Sequence, residues 1–148
     1  MNISYTPMTN NDLLEIQQQR VDNAKSIIVG HLNINSIRNK FIFAESIVKA
    51  FDLFLISESK LDSTFPMNQF HIFGFKVFRL DRNRFRGGLI LYINENIPCR
   101  PLNDHPTFPN LELIAIEIHQ NKRRWLFIGI YKPPSQSDRE FTNRLSST

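Results

Sequence analysis

The sequence predicts an α/β (α+β) domain with a β-α-β start followed by largely antiparallel strands, and two observations predict it. A β-branched run, "SIIVGHLNIN" at 26–35, leads into "SIRNKFIFAESIVKAF", where Phe41, Ala44, Val48 and Phe51 recur at helical spacing; a second apolar run then extends from Asp52 to Ser57. Beyond Pro66 the helical period disappears, and strand-like stretches follow at about 71–80, 88–94, 111–119 and 124–131.

Each element has its own signal. Residues 1–25 are polar and form an N-terminal extension with a short helix, in which Leu13, Ile16 and Arg20 or Val21 share a face behind a cap at Thr9 or Asn11. The first two strands are expected to be neighbours in one sheet, with the 41–51 helix across a face. The strands at 111–119 and 124–131 are joined by "QNKR", a hairpin connection whose turn type no glycine reveals. Ser137 stands three residues before Glu140, a capping-box spacing for a last helix with Phe141 and Leu145 on its buried side.

Composition narrows the classes of function. The chain has 148 residues, 41% of them hydrophobic and 13 of them Phe, which suits one domain with a packed core. Its net charge of +4 is compatible with a polyanionic partner such as nucleic acid. Cys99 is the single cysteine, so an intrachain disulfide and a zinc site built from paired cysteines are both excluded. With no apolar run of bilayer length and no signal-peptide pattern after Met1, the expectation is an intracellular protein, nuclear or cytoplasmic, with no membrane partner.

Chemistry gathers at the strand ends. In "DLFLISESKLD", 52–62, a buried strand delivers Glu58 at its carboxyl end, the placement that open α/β folds use for binding and catalysis. A cap or a partner for Lys60 is the other reading of that carboxylate. Asn33 and Asn35 are two apart at the end of the first strand, so in an extended chain they project together, and with Glu58 they would form an oxygen-rich cluster suited to a hard cation such as Mg²⁺. They also fit turn residues between strand and helix. Ser36 is placed to cap the helix that follows. Arg79, Arg82, Arg84 and Arg86 precede Gly87 and Gly88 and are suited either to phosphate contact or to keeping a hairpin loop soluble. His31, on the Asn33 face, reads as a structural histidine rather than a base.

Four stretches carry a family resemblance: "LNINSIR" at 32–38, "DLFLISESKL" at 52–61, "RGGLILYI" at 86–93 and "IGIYKPP" at 128–134. In this order and spacing they resemble the endonuclease/exonuclease/phosphatase superfamily, which includes deoxyribonuclease I. The wording of "FRLDRNRFRGGLILYI" and "IYKPP" is most similar to the apurinic/apyrimidinic-type endonuclease domain of non-LTR retrotransposons. The resemblance covers about 26–145. It implies that Glu58 binds Mg²⁺ or Mn²⁺, Asn33 orients the metal-bound phosphate, Asn35 lies on the metal side, and Tyr131 contacts the scissile phosphate; a tyrosine packed at the rim is the alternative for Tyr131.

The fold implied is a partial four-layer α/β sandwich of the deoxyribonuclease I-like type, over an incomplete domain at 26–148. Strands near 88–94, 111–119 and 124–131 are expected in one sheet, with an inner face left to associate because its partner sheet, normally ~10 Å away, lies in a missing C-terminal part. No Gly-Asp-Phe-Asn-like or Ser-Asp-His-like motif is found, and "SDRE" at 137–140 opens a helix instead. The implied function is the amino-terminal portion of a Mg²⁺-dependent DNA endonuclease that nicks a target site, inactive or weakly active alone. DNA, a C-terminal half and a reverse transcriptase domain of a full-length polyprotein are its implied partners. A non-catalytic nucleic-acid-binding remnant and a related phosphoesterase acting on a non-nucleic-acid substrate are the alternatives.

Overall fold

The structure is a computed structural model and describes residues 9–109, 111–132 and 134. The helix expected from Ser137 and Glu140 lies outside the described residues.

Helix α1 spans Asn10–Asp22 and begins at Thr9, whose hydroxyl accepts from the Asp12 amide at 3.2 Å while the Asp12 carboxylate accepts from the Thr9 amide at 2.6 Å. This reciprocal pairing satisfies two otherwise orphan donors. The extension docks on the domain: Ile16 packs against the core, and the Arg20 guanidinium donates to Asp52 at 2.8 Å and to the Ala50 carbonyl at 3.0 Å.

Strand β1 (Val29–Asn33), helix α2 (Phe41–Val48) and strand β2 (Leu53–Ser57) form the β-α-β unit, with β1 and β2 parallel from Val29 opposite Leu53 to Asn33 opposite Ser57. Ser36 does not cap α2. It sits at φ 79°, its hydroxyl accepts from Arg38, and the helix starts only at Phe41, behind Lys40. The turn at 37–40 intervenes because the chain after β1 first hydrogen-bonds to the chain after β2.

Strands β3 (Phe75–Leu80) and β4 (Leu89–Asn94) are antiparallel, and β4 also pairs with β2, so the first sheet runs β1-β2-β4-β3. The amino-terminal part of the stretch expected as strand at 71–80 is instead the loop that leaves a 3₁₀ turn at Met67–Phe70, and β3 starts only at Phe75. Strands β5 (Cys99–Pro101), β6 (Glu112–Gln120) and β7 (Arg123–Tyr131) form a second, antiparallel sheet, β5-β6-β7. The two-residue turn between β6 and β7 places Asn121 at φ 53° and Lys122 at φ 60°. Two successive left-handed residues are what a type I′ hairpin demands, and here Asn and Lys adopt them where glycine would have announced the turn.

This division corrects the expectation of one sheet with an exposed inner face. β4 belongs to the first sheet, whereas β6 and β7 belong to the second, and the two pack face to face. Leu53, Leu55, Leu91 and Ile93 meet Ile114, Ile116 and Ile118 between the sheets. On the other face of the first sheet, Phe54, Ile56 and Tyr92 pack under Ile37, Ala44, Val48 and Phe70. Period-two alternation in each strand feeds these two cores. Tyr92 is fully buried and donates its hydroxyl to the Phe70 carbonyl at 2.7 Å, so its polar end is satisfied. Among the described residues, no helix is long and apolar enough to cross a membrane.

Candidate functional site

The site forms where both sheets end. Beyond the strands, three segments stay hydrogen-bonded: the Ser36 amide donates to the Glu58 carbonyl at 2.8 Å, Ile37 to Ser59 at 3.1 Å, Ser59 to Gly88 at 3.1 Å and Lys60 to Gly87 at 2.8 Å. Glu58 and Lys60 adopt left-handed backbone, at φ 57° and 55°, and so do Gly87 and Gly88, at 60° and 93°. Both glycines are needed. A Cβ on Gly87 would run into the Glu112 carboxylate, and one on Gly88 into the Ser59 hydroxyl.

The second sheet contributes Tyr131 from the end of β7. Gly129, two residues earlier on the same face, lets β7 approach β2, because a Cβ there would stand 3.0 Å from the Leu55 methyls. Tyr131 then donates its hydroxyl to Glu58 Oε1, joining the two sheets at their common edge. Glu58, Tyr131, Arg82, Phe85, Arg86, Gly87 and Pro134 line an open cleft of about 280 Å³.

The expected residues meet different fates. Asn35 comes to Glu58 through Lys60, whose ammonium donates to Asn35 Oδ1 and lies 3.9 Å from Glu58 Oε2. The Asn35 amide oxygen is thus engaged by the Lys60 ammonium in this structure. Asn33 and Asn35 do not project together from an extended chain, because Asn35 has turned to φ 48° and its amide donates to Asn33 Oδ1 at 3.2 Å. That Asx-type turn realises the turn-residue reading of the pair. His31 contacts the Ser57 hydroxyl through Nε2 at 3.0 Å, and burial pushes its pKa down, in keeping with a structural role.

The four arginines separate. Arg79 is removed from the phosphate-facing set: its side chain is 2% exposed, and its guanidinium donates to Asp81 and to the Asp62, Phe65 and Pro66 carbonyls. It ties β3 to the 62–66 loop. Arg84 is exposed but paired with Asp62 at 2.9 Å and bonded to the Thr64 hydroxyl at 3.2 Å. Hydrogen bonds from Thr64 and from Arg84 hold the Asp62 carboxyl down at about 2. Arg82 and Arg86 reach the cleft.

Glu112 and Phe85 were not among the expected site residues. Glu112 opens β6 directly opposite Tyr131, accepts from the Gly88 amide at 2.8 Å through Oε2, and sits 3.6 Å from Arg82 through Oε1. The latter is an ion-pair distance too long for a hydrogen bond, so Oε1 is buried without a hydrogen-bond partner. Burial raises the Glu112 pKa, opposed by the Gly88 hydrogen bond and Arg82. A signal existed: in "LELIAIEIH" Glu112 is an acid on the inward face of an apolar strand, and counting back from a two-residue turn at 121–122 sets it against Tyr131.

As a divalent-ion site, this set fits only one mode of binding. Glu58 is a single carboxylate at an open cleft, which suits Mg²⁺ held through one or two carboxylates, substrate phosphate and water. It does not suit an all-protein cage, since among the described residues no three His, Cys, Asp or Glu side chains converge. Scanned against protein-family models the chain matches none, and a search of curated proteins finds no match.

Proposed function

We propose that the chain is the amino-terminal portion of a Mg²⁺- or Mn²⁺-dependent DNA endonuclease of the endonuclease/exonuclease/phosphatase type, as carried by non-LTR retrotransposons, acting inside the cell. The observation that carries this reading is the Glu58–Tyr131 hydrogen bond at a cleft rimmed by Arg82 and Arg86, on the shared edge of two face-to-face sheets. A four-layer sandwich of the deoxyribonuclease I-like type is the architecture to which two packed sheets with helices outside the first would belong.

When bound, the metal would neutralise charge developing on a phosphodiester under attack by water. The chain's own part is binding and orientation. Glu58 is the carboxylate that would hold the ion, and the Tyr131 hydroxyl fixes that carboxylate's rotamer while lying beside the phosphate position. Arg82 and Arg86 supply charge-assisted contacts to the backbone. Glu112 holds the Gly88 amide and steadies Arg82. Among the described residues no aspartate or His-Asp pair stands by Tyr131 to orient water, so the groups assigned here bind and orient and do not complete hydrolysis.

One observation favours a second reading, a non-catalytic DNA-binding module. The Lys60 ammonium lies between Asn35 and Glu58 and supplies a positive charge there without a metal. The two readings separate in one experiment: fluorescence anisotropy of a labelled duplex across a salt series, with Mg²⁺ and with EDTA, for the purified chain and Glu58→Ala, alongside nicking of supercoiled plasmid. The endonuclease reading expects salt-sensitive binding with a part lost both to EDTA and to Glu58→Ala. Binding indifferent to both selects the module, and absence of salt-sensitive binding overturns the two together.

A further inference from the structure

Phe85 is 75% exposed on a loop where large apolar side chains have no structural reason to be. The loop is not slack. Asn83 Oδ1 accepts from the Phe85 and Arg86 amides, both at 2.9 Å, and the Arg86 amide also meets the Asn83 carbonyl at 3.4 Å. Just before the ring, Arg84 is anchored on Asp62, and Arg38 donates to the Arg84 carbonyl at 3.2 Å. The backbone is thus fixed on both sides of the ring.

Its surroundings single Phe85 out from the other exposed aromatics among the described residues: Phe43 and Trp125 are about half exposed and line clefts away from Glu58, and Phe73, 86% exposed, lines none of the described clefts. Phe85 lines the same cleft as Glu58 and Tyr131, with Arg82 and Arg86 beside it. Guanidinium groups that can hold a backbone phosphate, next to an exposed ring on a hydrogen-bonded backbone, are the two components of a single-strand binding surface: charge tracks the backbone, and the ring's face takes a base. A paired, stacked base cannot offer its face; an extruded or unpaired one can.

We propose that Phe85 is a base-stacking residue, so that the cleft takes nucleic acid whose backbone phosphate lies at Arg82 and Arg86 and whose adjoining base is unpaired and stacked on the Phe85 ring. The assignment rests on the nucleic-acid reading above and adds to it a preference among DNA structures.

The test uses two labelled duplexes identical except that one carries a single extra, unpaired 2-aminopurine, with anisotropy for affinity and 2-aminopurine emission for stacking. The unmodified chain is expected to bind the bulged duplex more tightly and to change its 2-aminopurine emission. Phe85→Ala is expected to lose roughly fivefold to a hundredfold of that affinity together with the emission change, as removal of one stacking ring does. Phe85→Trp restores both, and Phe73→Ala, more exposed but away from the cleft, alters neither.

Equal binding of both duplexes, a Phe85→Ala variant that binds like the parent, or a loss of equal size on paired and bulged DNA each overturns the stacking role while leaving DNA binding intact. If the unmodified chain binds neither duplex in a salt-sensitive way, the nucleic-acid reading itself fails, and the stacking role with it.

Discussion

The two sheets are built from similar strands yet are buried to different degrees. In the first, every residue of β2 is buried, and so are Leu89–Ile93 of β4, because α2 and the 3₁₀ turn cover one face and the second sheet covers the other. In the second, β6 sends Ile114, Ile116 and Ile118 inward, while the outward Leu126 and Ile128 of β7 remain 60% and 47% exposed. The same apolar residue types therefore carry different weight. In the first sheet they are core on both faces, and on the outside of β7 they are a long apolar edge strand of a kind that natural proteins ordinarily protect. The lesson is that hydrophobic pattern states how many faces a strand could bury, and packing decides how many it does.

Truncation tests this comparison most strongly. Ile116→Ala removes a side chain 1% exposed between the sheets and should cost about 2–5 kcal/mol in urea unfolding, whereas Leu126→Ala should stay within about 0.5 kcal/mol. Comparable losses at the two positions would mean that the outer face of β7 is covered in solution.

At the shared edge the effects should be smaller. Glu112→Ala leaves the buried Gly88 amide without its acceptor and should cost about 1–3 kcal/mol; Glu112→Gln, which keeps an oxygen for that amide, should cost less. The pH response sharpens the point. Burial raises the Glu112 pKa above its ordinary 4.5, so the folded chain holds this proton more firmly than the unfolded chain. Its contribution to stability therefore declines as pH rises from about 4.5 through the raised value. Chemical denaturation across that interval should show the decline, and Glu112→Gln should flatten it.

The smallest effect is expected at the loop on the first-sheet side. The Thr64 and Arg84 hydrogen bonds hold Asp62 at about 2, well below its usual 3.8, so the stability it contributes is present above that usual value and lost as pH falls through about 2. Because the group faces solvent, Asp62→Asn should barely move the urea midpoint at neutral pH, and that small shift should shrink as salt is added.

Much of the site is legible from local pattern. Glu58 at the end of an apolar strand, Tyr131 at the end of another and the arginines before a glycine pair are all visible in the chain. What is not visible is how they are spent. Arg79 reads like its neighbours, yet it lies one residue before the end of β3, where the 62–66 backbone offers three carbonyls and consumes it. Asn35 reads as a ligand beside Asn33 only while the chain is taken as extended, and a left-handed turn redirects it toward Lys60. Glu112 carries no motif, and its importance comes from a register fixed by the 121–122 turn.

By itself the sequence determined the β-α-β start and the β6–β7 hairpin and narrowed the cap of α1 to Thr9 or Asn11, because periodicity, capping and loop length are properties of neighbouring residues. Only the tertiary structure decided which sheet each strand joined, that the inner faces of the two sheets cover one another, and which polar groups were left to face the cleft. Those outcomes depend on contacts between residues far apart in the chain, where a carbonyl, an amide or a carboxylate from one segment either claims a side chain of another or leaves it free to act.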